Sequence, residues 1–268
     1  MKNISEHILI TDLNDNGILR LTLNDIENKN ALSESMMQKL LNAISKASKD
    51  NSVRVVIISS TGNVFCSGHN LKEINEAKNE DDKGESYYLD LFKICSKLMQ
   101  LIINCPKPVI AEVNGIATAA GCQLVASCDL AISSNSSKFA TPGVNIGLFC
   151  STPMVALSRN VSIKDSMKML LTGDMISAKE AKRISLINDC VPDDQLKESV
   201  MDLAIKISEK SQAVLKIGKQ AFYKQLELKI EDAYEYTSMV MTKNMMIDDA
   251  SEGISSFLSK RNPKWKNK

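Results

Sequence analysis

Apolar residues recur along this chain with two periods, one of strands and one of helices. The runs "HILITDL" and "GILRLTLND" flank the turn signal Asn14-Asp15-Asn16-Gly17, which predicts a hairpin. After Ser33, a candidate N-cap, Met36, Met37, Leu40, Leu41, Ile44 and Ala47 recur at helical spacing. "VRVVIISS" (53–60) is a continuous β-branched run and reads as a strand buried on both faces. Residues 71–104 read as mostly helical, interrupted by a polar stretch from Asn79 to Gly84 that is expected to be a mobile loop; Pro106 and Pro108 then close the helix. "PVIAEVN" is the next buried strand and ends at Gly115, a helix follows, and "DLAISS" is another strand. "ISAKEAKRISL" opens with a capping box, Ser177 to Glu180. From Pro192 onward the pattern is helical and rich in Lys, Glu and Met.

Repeated strand–strand–helix units followed by helices imply an α/β fold. The expected division is a core over residues 1–195 and a helical region over 196–268, with no low-complexity linker between them.

Composition narrows the class. The 268 residues carry 33 Lys+Arg against 32 Asp+Glu, so there is no electrostatic case for nucleic acid or an anionic membrane. Lys39, Lys46 and Lys49 are read as the solvated face of the first helix. The hydrophobic fraction of 44% supports a proper core. Seven cysteines with no C-x-x-C pair argue against a disulfide framework or a structural zinc, so no metal is expected and a reducing compartment is. No run of eighteen apolar residues is present to span a membrane. "MKNISEHILITDLNDNG" lacks the features of a signal or transit peptide. The expectation is a soluble, cytoplasmic protein; a mitochondrial one stripped of its leader would look the same. His7, in the hairpin, is expected to be inert.

Two turns carry candidate chemistry. "FCSGHN" and "NGIATAAGC" each follow a buried strand and are rich in small residues that allow close backbone approach. The second feeds a helix N-terminus, which favours negative charge. One backbone N–H from each turn would make an oxyanion hole for a thioester carbonyl. Taken alone, such turns are more often plain connections. Gln123, a polar amide among Cys122, Leu124, Val125 and Ala126, stands where an acid–base enzyme would want a carboxylate.

"VRVVIISSTGNVFCSGHNLKE", "PKPVIAEVNGIATAAGCQLVASCDLAI", "FATPGVNIGL" and "LLTGDMISAKEAKRISLINDCVP" together resemble the crotonase (enoyl-CoA hydratase/isomerase) superfamily. "LNDIENKNALS" resembles its N-terminal motif, with Ile26 where the family usually has proline. The likeness runs from about Leu19 to the C-terminus. It implies a crotonase-like ββα spiral with a C-terminal helical trimerisation region, a homotrimer or dimer of trimers, and an acyl-CoA thioester as substrate or ligand with no further cofactor. By position, the oxyanion donors are the N–H groups of His69 and Ala120. The nucleotide end of CoA follows Lys29, Ala31 and Leu32, then Ser67, Asn70, Leu71 and Lys72. Phe257 and Lys260 fall where a neighbouring subunit reaches the CoA.

The two glutamates that move protons in hydratases of this family fall on Gln123 and Gly143. An amide cannot shuttle a proton near neutral pH, and glycine has no side chain. Little two-glutamate hydration is therefore expected, and Gly143 is expected to leave space for a bulkier acyl group. The His69 ring is expected to point away from the acyl pocket. Cys150, Ser151 and Thr152 would lie near the acyl chain, with Cys150 as lining, and Thr118 and Thr141 would hold water or backbone. Three readings stay open: a slow hydratase or isomerase, a decarboxylase of a malonyl-type thioester, and a non-catalytic acyl-CoA binder.

Overall fold

The expected N-terminal hairpin is present and begins the larger of two sheets. A computed structural model describes residues 8–267, so His7 lies outside them. Strands β1 (Leu9–Leu13) and β2 (Ile18–Leu23) pair antiparallel with Leu9 opposite Leu23. The Asn14 side chain closes their turn by accepting from the N–H groups of Asn16 and Ile18. Helix α1 (Glu34–Lys49) starts where Ser33 Oγ accepts from Met36 N, and it buries the six apolar residues read from its periodicity.

The chain then alternates between the two sheets. Strand β3 (Val55–Ser60) is followed by the short β4 (Val64–Cys66) and helices α2 (Leu71–Glu76) and α3 (Glu85–Asn104). Strand β5 (Val109–Val113) is followed by β6 (Ile116–Thr118) and α4 (Ala120–Ser127). Strand β7 (Leu130–Ser134) is followed by β8 (Lys138–Ala140), α5 (Pro153–Asn160) and α6 (Ile163–Thr172). After β9 (Ile176–Ser177), α7 (Ala178–Arg183) and β10 (Asp189–Val191) come α8 (Leu196–Ser208), α9 (Gln212–Gln225), α10 (Ile230–Met245) and α11 (Asp248–Leu258). The larger sheet has the order β1-β2-β3-β5-β7-β10 and the smaller β4-β6-β8-β9. Each strand–strand–helix unit from β3 to α6 thus gives its long strand to the larger sheet and its short strand to the smaller one.

Two details differ from the sequence reading. The interruption near Asn79–Gly84 is a tied turn: Asp82 accepts from the N–H groups of Gly84 and Ser86, and Gly84 starts α3. The capping box at Ser177 is half formed. Ser177 Oγ accepts from Glu180 N, but the Glu180 carboxylate pairs with Arg183 instead of reaching back.

The main core lies between the inner face of the larger sheet, the smaller sheet and helices α1, α3 and α4. A second apolar cluster lies on the other face, where Leu196, Val200 and Ala204 of α8 cover Ile18, Val55, Ile57, Ile110 and Ile132. Helices α9 to α11 leave large apolar residues in water, among them Phe222, Ile230, Tyr234, Met246, Phe257 and Leu258. Among the described residues, no helix is long and apolar enough to cross a membrane.

Candidate functional site

The smaller sheet decides where the chemistry can sit. Strands β4, β6 and β8 are parallel neighbours, with Cys66 beside Ala117 and Thr118 beside Ala140. Their carboxyl ends therefore lie side by side, and so do the three turns that leave them: Ser67–His69, Ala119–Ala120 and Thr141–Gly143. Ligands of open parallel sheets favour this edge.

The first two turns touch. Gly68 has φ +95°, and a Cβ built there would stand 3.0 Å from Ala119 Cβ, 3.2 Å from Thr118 O and 3.4 Å from Ala120 N. Glycine is needed both for the dihedral and for the approach. Thr118 Oγ1 donates to Ser67 O (3.1 Å) and locks the pair of turns. Ala119 has φ 50° and ψ −119°, a region that alanine enters only under strain of about 1–3 kcal/mol. Its own N–H donates to Ala140 O, which holds it there. The strain turns Ala120 into the start of α4, where the first N–H groups have no partner within the helix. His69 N and Ala120 N thus belong to turns in contact.

A second segment runs beside them. Ser67 N donates to Lys29 O (3.2 Å), and Leu32 N donates to Gly68 O (2.7 Å). Lys29 and Asn30 both have positive φ, and the Asn30 side chain holds that bend through Asp25 N, Thr61 O and Val64 O. The structure therefore brings Lys29, Ala31, Leu32 and Ser67 together with His69 and Ala120. Ala31 and Leu32 are buried and present backbone only, whereas Lys29, Leu71 and Lys72 are exposed. Asn70 caps α2 by accepting from Lys72 N. Phe257 and Lys260 are not brought to these turns. Helix α11 packs on α10, its Asp249 is tied to Ser211 at the start of α9, and Phe257 is 83% exposed.

A cleft of about 840 Å³ lies between α3, α4, α5 and α9, with Gln123, one helical turn past Ala120, in its wall. Ser151 and Thr152 line it too, where the acyl chain was expected. Among the described residues no cluster of three His, Cys, Asp or Glu side chains could hold a metal ion.

Residues 14–268 match the enoyl-CoA hydratase/isomerase family. The chain belongs to that family. It is 48% identical over 267 residues to the mitochondrial enoyl-CoA hydratase domain-containing protein 3 of Xenopus laevis, covering 98% of this chain and 89% of that one. It is 48% identical over 249 residues to the Homo sapiens protein of that name, covering 93% of this chain and 80% of that one. The crystal structure of the human protein matches with a TM-score of 0.91 at 46% identity, covering 96% of this chain and 100% of that one. An enoyl-CoA hydratase from Mycobacterium smegmatis matches at 0.92 and 45%, covering 97% and 99%. The mixed α/β, crotonase-like fold with parallel sheets expected from the motifs is therefore present. Of the two compartments left open by the sequence, the mitochondrial one fits the names of the Xenopus laevis and Homo sapiens relatives.

Gln123 and Gly143, expected where the family's two glutamates fall, carry no carboxylate. Gln123 is 5% exposed, and its Oε1 accepts from the Cys95 thiol (3.8 Å). That leaves the amide NH2 as a donor for whatever enters the cleft. At Gly143 the expected free space is absent. A Cβ there would stand 2.9 Å from both Cys150 Sγ and Leu148 O, and Gly143 N donates to that same sulfur (3.3 Å). The thiol and a backbone carbonyl fill the room a side chain would need, so a bulkier acyl group gains nothing at this point.

The cysteines do not supply a base. Burial pushes the thiols of Cys66, Cys95 and Cys122 up to about 12. Cys150 is also raised by burial, opposed by the Gly143 N–H. The His69 ring packs edge-on to Phe92 (5.6 Å), its Nδ1 is 3.3 Å from Leu32 O, and its Nε2 is buried with no partner. Burial lowers its pKa, partly opposed by the Leu32 carbonyl. The imidazole is thus neutral at pH 7. Stability contributed by a lowered histidine is present above the unfolded value of about 6.5 and is lost as pH falls toward the folded one. Melting temperature is expected to drop between about pH 7 and pH 5, and His69→Asn to reduce that drop. An equal drop in both proteins would assign it to other groups.

Four contributors were not read from the sequence: Cys95, which orients Gln123, and the half-buried trio Asp129, Lys219 and Tyr223, which seats α9 beside the cleft. The readable sign was Asp129 itself, an acid between a buried helix and a buried strand.

Proposed function

We propose that the chain binds an acyl-CoA thioester and polarises its carbonyl between the N–H groups of His69 and Ala120, with little hydration of the two-glutamate kind. The contact of Gly68 with Ala119 and Ala120, held by a strained alanine, carries this reading. Such donors stabilise the charge that develops on the oxygen as an enolate forms. The backbone at Lys29, Ala31, Leu32 and Ser67 and the exposed Leu71 and Lys72, beside the cap Asn70, are assigned to the nucleotide end of CoA. Phe257 and Lys260 are assigned to the CoA of a neighbouring subunit in a homotrimer or dimer of trimers. The apolar residues left in water on α9 to α11 support that assembly, since a stable monomer rarely leaves so large a patch uncovered. A mitochondrial setting is proposed from the names of the relatives.

One observation favours decarboxylation of a malonyl-type thioester as the reaction. The two turns and the Gln123 and Gly143 positions offer donors and no carboxylate, and Gln123 extends the row of donors past Ala120. In that reaction the bond to the carboxylate breaks, CO2 leaves, and its electron pair moves into the thioester enolate. The two N–H groups then hold the enolate oxygen until water protonates the carbon. No enzyme base is needed to start it.

The test is vibrational. A thioester labelled with ¹³C at its carbonyl is expected to shift its C=O stretch to lower frequency on binding, because the donors weaken the double bond. Binding with an unshifted stretch would remove the oxyanion hole and leave the chain as a non-catalytic acyl-CoA binder. No binding of any acyl-CoA would remove the whole assignment.

A further inference from the structure

The cleft beside Gln123 is lined by many polar side chains. Of its sixteen lining residues, twelve have polar or charged side chains and only Met99, Ile103, Val155 and Ala156 are apolar. A polar acyl end would meet partners there that an alkyl tail would leave unpaired. Gln123 follows Ala120 by three positions on α4, so the two share a helix face. With the nucleotide end on the 29–32 and 67–72 side, as proposed above, the acyl end runs past Gln123 into this cleft.

Charge in the cleft is unbalanced. Arg159 and Lys224 line it with a single carboxylate, Glu227, and none of the three has an ion-pair partner among the described residues. Lys224 Nζ is occupied, 4.5 Å above the Tyr236 ring. Arg159 uses Nη1 to reach Val155 O (3.0 Å), which leaves most of its five donors free. Its helix end is fixed, because Asn160 Nδ2 next to it donates to Ala126 O (2.9 Å) on α4. A guanidinium held in place with free donors matches a carboxylate in two-point geometry.

We infer that the acyl group ends in a carboxylate remote from the thioester, making the ligand the mono-CoA thioester of a dicarboxylic acid longer than malonate, and that Arg159 reads that end; a malonyl-type ester, whose carboxylate sits at the reacting carbon, would not reach it. The inference rests on the acyl-CoA reading above. Arg159 lies at the exposed mouth, so solvent screens the pair and the expected preference is moderate, about tenfold.

The test compares glutaryl-CoA with pentanoyl-CoA, five acyl carbons each, by calorimetry on the full chain. Wild type is expected to bind glutaryl-CoA about tenfold more tightly, with the gap narrowing as salt rises. Arg159→Gln is expected to erase the difference between the two esters, and Arg159→Lys to keep part of it. Wild type that binds pentanoyl-CoA as well or better overturns the inference while the acyl-CoA reading stands. So does an unchanged ratio in Arg159→Gln. If neither ester binds wild type, the acyl-CoA reading fails first and this inference falls with it. Melting curves of both variants confirm that they are folded before the ratios are compared.

Discussion

Mixed with this protein, crotonyl-CoA is expected to keep its conjugated enoyl absorbance, or to lose it at least about 10²-fold more slowly than the roughly 1–10³ per second of ordinary enzymes. Hydration needs a proton taken from water at one carbon and one delivered at the next. Gln123 holds an amide bonded to a thiol, Gly143 is walled by Cys150 and Leu148, and the buried thiols stay protonated near neutral pH. Beside the turns the neutral His69 ring, with its unpartnered Nε2, is left as a proton acceptor, and Glu227 is the carboxylate of the cleft wall. Gln123→Glu restores one carboxylate and is expected to raise the rate by about 10²-fold. A glutamate at Gly143 is the poorer variant, because its Cβ collides with the Leu148 carbonyl whatever Cys150 does. Ordinary turnover by wild type would contradict this account and assign proton transfer to His69 or to Glu227. A Gln123→Glu protein no faster than wild type would show that the cleft fails to place water at all.

Lys219→Met is expected to lower the unfolding free energy by about 3–5 kcal/mol, read from urea titration. Lys219 Nζ donates to Asp129 Oδ2 (2.6 Å) and to the carbonyls of Ile102 and Lys107, each at 3.0 Å. Asp129 also accepts from Val109 N (2.7 Å) and Tyr223 OH (2.9 Å). Both charged side chains are largely buried, at 8% and 16% exposure, so the pair is poorly screened. Burial already raises the Asp129 carboxyl, against the pull of Lys219. Without Lys219 the carboxylate is stranded, along with two carbonyls. The double variant Asp129→Asn/Lys219→Met is expected to lose less than the sum of the two single changes, because it removes both charges. A loss below about 1 kcal/mol for Lys219→Met would mean that water screens the pair as at a surface. The same variant loosens α9, one wall of the cleft, so binding of any acyl ligand should weaken with stability.

What could be read along the chain was local. The hairpin at Asn14–Gly17, the apolar face of α1, the caps at Ser33 and Ser177 and the buried run of β3 each depend on residues within a few positions of one another. Periodicity and capping express just such short-range bonds. The small sheet was not legible, because β4, β6 and β8 are three residues long and β9 two, too short to show a period. Motif likeness named His69, Ala120, Gln123 and Gly143 as positions, but not what surrounds them. That Gly68 meets Ala119, that Cys150 fills the room beside Gly143, and that Cys95 orients Gln123 are contacts between distant segments. Asp129 and Lys219 lie ninety positions apart and meet only when α9 closes on the core. Hydrogen bonds between neighbours and the spacing of apolar residues determined the elements. Close packing, which decides what space and which partners each group has left, determined the site.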